Sequence, residues 1–124
     1  MRTVLGIALA GALGALARYG LEGVVSRRLA GAFPWGTFVV NVTGAFVAGL
    51  LFTIFTQRVV VAPWVRSTLL IGFLGAYTTF STLSLETFRL IEDGAYVMGA
   101  LNSVGSLVVG LVAVYGGVLV GRAI

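Results

Sequence analysis

The side chains with most to offer an ion are hydroxyls and amides set inside an apolar chain. Thirteen consecutive residues, Gly72 to Ser84, hold two glycines, three aromatics and five hydroxyl side chains: Thr78, Thr79, Ser81, Thr82 and Ser84. Such a run weakens a helix. Glycine costs about 1 kcal/mol against alanine, and Ser and Thr hydroxyls compete for backbone hydrogen bonds. Two readings follow. In one, a membrane helix is broken here and its freed carbonyls and hydroxyls meet an ion. Irregular backbone survives in lipid only where protein buries it or where it lines a water-filled cavity. In the other, the helix is unbroken and each hydroxyl bonds back to its own carbonyls.

Other polar residues stand alone in apolar surroundings. Asn41 follows Thr37 by one helical turn. Its amide offers two donors to an anion, or it serves as an interhelical structural bond. Asn102, Ser106 and Gly110 recur at four-residue spacing and predict one narrow face, from which Ser103 points away. That face lines a conduit or seats a neighbouring helix. Arg18 either reaches the membrane surface or draws anions to a vestibule. Glu86, one turn after Thr82, pairs with an arginine such as Arg18 or caps local backbone. The Phe80 ring has a negative face and a positive edge, and an edge turned to a pathway favours a small anion. Donors and ring edges without fixed charge let an anion enter and leave, as conduction requires.

What is missing narrows the chemistry. The 124 residues contain no cysteine and no histidine, so disulfides, thiolate chemistry and the usual metal ligands are out. Glu22, Glu86, Glu92 and Asp93 are the only acids, all toward segment ends. A proton-coupled exporter needs a titratable acid at its binding site, and mid-membrane positions supply none. No catalytic set or phosphate-binding loop is present, and the expectation is that the protein is not an enzyme.

The elements that must position these residues are membrane helices. The chain is 59% hydrophobic and 10% charged, with mean hydropathy +1.08, far from a soluble composition of about 25% charged. It reads as one all-α integral membrane domain over residues 1–124, with four apolar segments: about Thr3 to Val25, Trp35 to Gln57, Trp64 to Leu90 and Ala95 to Val120. Each is close to or above the ~20 residues that cross ~30 Å of hydrocarbon. The first is too long for a signal peptide's apolar core and contains Arg18, so it reads as a mature helix. Pro34-Trp35 and Pro63-Trp64 open the second and third segments, with proline at a helix start and tryptophan at headgroup level.

Short connections make an up-down-up-down path with both termini on one side. The eight cations are all arginines, scattered without a basic face, so they predict membrane anchoring and no nucleic-acid partner. Arg2, Arg58, Arg66 and Arg122 fall on one side; Arg27 and Arg28, Arg89 and, counted with them, Arg18 fall on the other. So even a distribution predicts weak orientation preference. Small residues recur four apart, as in Gly6-Ala10-Gly14 and Gly117-Gly121, and predict tight packing within an oligomer. If both orientations occur, an antiparallel homodimer is the simplest closed assembly.

These features together resemble the Fluc (CrcB) fluoride channels of microbes. The resemblance covers essentially the whole chain. It rests on Gly11-Ala12-Leu13-Gly14-Ala15-Leu16-Ala17-Arg18-Tyr19, on Gly36-Thr37-Phe38-Val39-Val40-Asn41-Val42-Thr43-Gly44, and most specifically on Gly72-Phe73-Leu74-Gly75-Ala76-Tyr77-Thr78-Thr79-Phe80-Ser81-Thr82. It implies a passive exit route for cytoplasmic fluoride across the cell membrane. It implies an antiparallel dual-topology homodimer with two pores. It further implies a structural sodium ion at the dimer centre, held by the backbone carbonyls of Gly75 and Thr78. By the same resemblance, Asn41 contacts the permeating ion, Phe80 offers a ring edge, Ser81, Thr82, Asn102 and Ser106 extend the polar track, and Arg18 matches a first-helix arginine.

Two positions depart from the family pattern. A second phenylalanine is common three residues after the first, and here Leu83 stands there. Leucine has no electropositive edge, which leaves Phe80 and the hydroxyls to serve the ion. Ala76-Tyr77 replaces a frequent Gly-Leu pair and leaves both carbonyls available. The competing reading is a small multidrug-resistance-type proton-coupled exporter. That class needs an embedded glutamate in its first helix, and only Glu22, near the end, is offered. A non-transporting scaffold subunit explains the glycines but not Asn41 with the hydroxyl run.

Overall fold

The computed structural model describes all residues from Met1 to Ile124. It is all-helical. Four helical spans are long and apolar enough to cross a membrane: Arg2–Arg28, Trp35–Arg58, Pro63–Glu92 and Tyr96–Ala123. The chain is a multi-pass membrane protein. Pro34 precedes the second span and Pro63 is the first helical residue of the third, where a missing N–H costs nothing. The left-handed backbone of Gly94 (φ 77°) turns the chain between the third and fourth spans.

Glycine contacts set the arrangement. The first span runs beside the third: an added Cβ at Gly14 meets the Phe73 carbonyl, and one at Gly72 lies 3.0 Å from Ile7 Cα. The second span runs beside the fourth, where Gly117 faces the Phe46 carbonyl and Gly121 faces Thr53. The Arg58 guanidinium donates to the Arg122 carbonyl, joining the ends of these two spans on one side. Consecutive spans are antiparallel, as the contacts of Thr37 with Glu86 and of Asn102 with Thr87 require. The small-residue stripes expected to serve an oligomer are in large part consumed inside the chain. Without a hydrophobic drive between helices in lipid, backbone approach of this kind supplies the packing.

Three spans carry wide π-helical turns, at Ile54–Arg58, Thr68–Leu74 and Leu101–Gly105. Such turns shift the register of every side chain beyond them. The second leads into the discontinuity of the third span.

Candidate functional site

The third span is broken. A short helical turn, Gly75–Tyr77, ends at Thr78, whose backbone is extended (φ −83°, ψ 156°). Thr79 is extended too (φ −148°, ψ 119°) and caps a new helix, Phe80–Glu92. Its hydroxyl accepts from the Thr82 amide at 3.2 Å, an N-cap bond of the usual kind. The unbroken alternative is excluded. The hydroxyls divide between the two readings: Thr78 and Ser84 do bond back, to the Leu74 and Phe80 carbonyls. Thr79, Ser81 and Thr82 instead make a cluster, with Oγ–Oγ distances from Thr79 of 3.3 and 3.1 Å.

Asn41 holds the break in place. Its Nδ2 donates to the Thr79 carbonyl at 3.0 Å and its Oδ1 accepts from the Thr79 amide at 2.8 Å. The Thr79 amide therefore leaves the Gly75 carbonyl it would reach in a continuous helix. No hydrogen bond within the chain reaches the Thr78 carbonyl. One N–H of Asn41 stays free for another partner. Gly44 lets the second span come this close: an added Cβ would enter the Thr78 methyl and lie 3.1 Å from the Tyr77 ring.

The break opens onto a trough of about 1250 Å³ between the second, third and fourth spans. Asn41, Gly75, Thr78, Phe80, Ser103 and Ser106 are among its lining residues. Phe80 is 82% exposed. Leu83 lines the same trough, whereas Ser81 and Thr82 are not among its lining residues; Ser81 is exposed and Thr82 half-buried.

The Asn102 face is not as its spacing predicts. Asn102 is fully buried and donates to Thr87 Oγ1 at 3.0 Å. Ser103, which the spacing turned away, lines the trough with Ser106 and Gly110. The π turn over Leu101–Gly105 is the reason, because four-residue spacing no longer marks one face there. Asn102 Oδ1 and Ser106 Oγ are buried with no partner in the chain, an arrangement that asks for one.

Glu86 does not pair with Arg18. Its Oε1 accepts from Thr37 Oγ1 at 2.7 Å, and its Oε2 is buried without a partner. The same Thr37 hydroxyl lies 3.3 Å from Glu22 Oε1. Glu86 also borders a small cleft of about 180 Å³ with Arg89 and Asp93. Arg18 is half-buried on the first span. Sequence reasoning missed the role of Thr79; threonine is a favoured N-cap residue, but the five Ser and Thr residues of the run leave the capping position open. It also missed Glu22 and Thr87, whose partners lie on other spans.

With this geometry in hand, comparison with known proteins is decisive. The family model for CrcB-like protein, Camphor Resistance (CrcB), matches residues 5–118. The chain belongs to the CrcB-like family. It is 48% identical over 118 residues to the fluoride-specific ion channel FluC of Magnetococcus marinus, covering 95% of this chain and 96% of the relative. It is 48% identical over 124 residues to the FluC of Geotalea uraniireducens, covering 100% of both, and 45% identical over 122 residues to that of Geobacter sulfurreducens, covering 98% of each. This CrcB-like chain thus matches its relatives from end to end, and the broken third span lies inside the matched region.

Proposed function

We propose that this protein is a fluoride-selective channel that lets fluoride leave the cytoplasm passively. The observation that carries the reading is the break at Thr78–Thr79, held by Asn41 and open to a mainly apolar trough that Asn41, Thr78, Thr79 and Ser106 border. The full-length likeness to proteins named fluoride-specific ion channels supplies the ion.

An open trough that displays irregular backbone is unsuited to lipid. A second copy of the chain, inserted in the opposite orientation, is the proposed cover. The near-even arginine distribution allows both orientations. Two such chains place their breaks together and build two pores from shared walls. The residues at the break suit a sodium ion. The Thr78 carbonyl is free of hydrogen bonds and that of Gly75 has lost the Thr79 amide, and hard cations take oxygen ligands of this kind. The Gly75 and Thr78 carbonyls would hold such an ion, which would supply fixed positive charge at the break.

Along the pathway, the free Asn41 N–H, the Phe80 edge, the Ser81 and Thr82 hydroxyls and Ser106 provide donors and electropositive edges. Each binds a small anion weakly, which permits entry and release. Asn102 acts from behind, through Thr87. Arg18 is assigned to a vestibule that raises local anion concentration. The proton-coupled exporter reading is not favoured, because the full-length relatives are named fluoride-specific ion channels. Fluoride release from liposomes carrying the purified protein tests the proposal, and a folded dimer that releases none sinks it.

A further inference from the structure

We infer that Tyr77 is a positioning residue for the Thr78 carbonyl, acting through a hydrogen bond to Thr43; this rests on the cation reading of the break. The Tyr77 and Thr43 hydroxyl oxygens lie 2.8 Å apart. The direction of the bond follows from counting hydrogens. Thr43 has one, and it is directed at its own helix, to the Val39 carbonyl at 2.7 Å and the Val40 carbonyl at 3.1 Å. Tyr77 is therefore the donor and Thr43 Oγ1 the acceptor. The ring is fixed as well. It stacks on Phe73 with centroids 5.9 Å apart and planes 11° apart, and it lies across Gly44.

The consequence is geometric. The second span grips the third at two points on either side of Thr78. Thr43 holds the residue before it, and Asn41 holds the residue after it. The carbonyl between the two grips has no hydrogen bond of its own to orient it. Its direction depends on how tightly its neighbours are held. Leucine at position 77 fills space and holds nothing, whereas tyrosine adds a directional tie. The hydroxyl thus tunes how well the break binds a hard cation, without touching that cation.

The test is fluoride efflux from liposomes at graded sodium, with choline as the replacing cation, together with the sodium dependence of the thermal unfolding midpoint in detergent, which reads cation binding without transport. Tyr77→Phe keeps the ring and its stacking and deletes only the hydroxyl. The expected result is a rise in half-saturating sodium, with about tenfold as the ceiling reached if the whole net strength of one hydrogen bond is coupled to cation binding. Maximal flux at saturating sodium is retained. Thr43→Val removes the acceptor and produces the same shift, and the double variant adds nothing further. If either single variant fails to fold, the other carries the test. A sodium midpoint unchanged in the folded variants, beside a sodium-dependent parent, overturns the role of Tyr77 alone. A parent whose flux ignores sodium overturns the cation reading and this inference with it.

Discussion

Asn41 and Thr79 exchange two hydrogen bonds across the gap between the second and third spans, at 3.0 and 2.8 Å. One amide side chain thereby takes both backbone groups of a residue that no longer belongs to a helix. Asn41→Ala leaves both without partners. Two lost bonds and the exposed desolvation cost amount to about 2–4 kcal/mol. Thermal unfolding in detergent will show a large drop in midpoint, and efflux will be lost. An Asn41→Ala midpoint equal to the parent's contradicts the clamp.

How much of this was legible in the sequence differs by element. Four spans follow from hydropathy because a bilayer sets the length of any helix that crosses it, and the structure has four helices long and apolar enough to do so. The stretch Gly72 to Ser84 was legible as a weak helix. Its breaking point was not, since that depends on Asn41 and Gly44, distant in sequence and adjacent in space. The Asn102 face was misread because a π turn is invisible to a fixed period. Glu86 was offered Arg18, yet takes Thr37, whose hydroxyl also meets Glu22. Acids far apart in sequence converge only once the antiparallel register is known.

Gly44 is a steric gate for the same approach. Gly44→Ala drives a methyl into Thr78 and the Tyr77 ring. Overpacking of this kind costs about 1–3 kcal/mol. The expected outcome is lower thermal stability together with reduced efflux. Gly105→Ala, where nothing in the chain lies within 4 Å, serves as the comparison.

Thr37 supplies the only hydrogen bond that Glu86 receives. Thr37→Val leaves the carboxyl without a partner on either oxygen, a loss of about 1.5–3 kcal/mol for a bond to a charged group. Unfolding measurements on Thr37→Val and Thr37→Ser distinguish the cause. Serine restores the donor and with it the stability. A valine variant as stable as the parent contradicts the contact.

Leu83 tests the division of labour along the pathway. It lines the trough one turn from Phe80 but has no electropositive edge. The parent conducts through Phe80 and the hydroxyls, and Leu83→Phe alters the rate without creating the activity. A silent parent that Leu83→Phe awakens contradicts this.

Gly110 reports on the proposed second copy. It lines the trough and has open space around it within the chain. Gly110→Trp therefore leaves the single chain folded and obstructs the cover. Size exclusion with crosslinking is expected to show monomers with unchanged helical content, and efflux disappears. An intact dimer would mean that the chains meet on another face.

The most direct measurement is paired fluoride and chloride efflux from liposomes containing the purified protein, each read with its own electrode. Rapid fluoride release, no matching chloride release, and loss of the fluoride signal in Asn41→Ala are the expected results. Equal release of both anions, or none from a folded dimer, contradicts the channel reading.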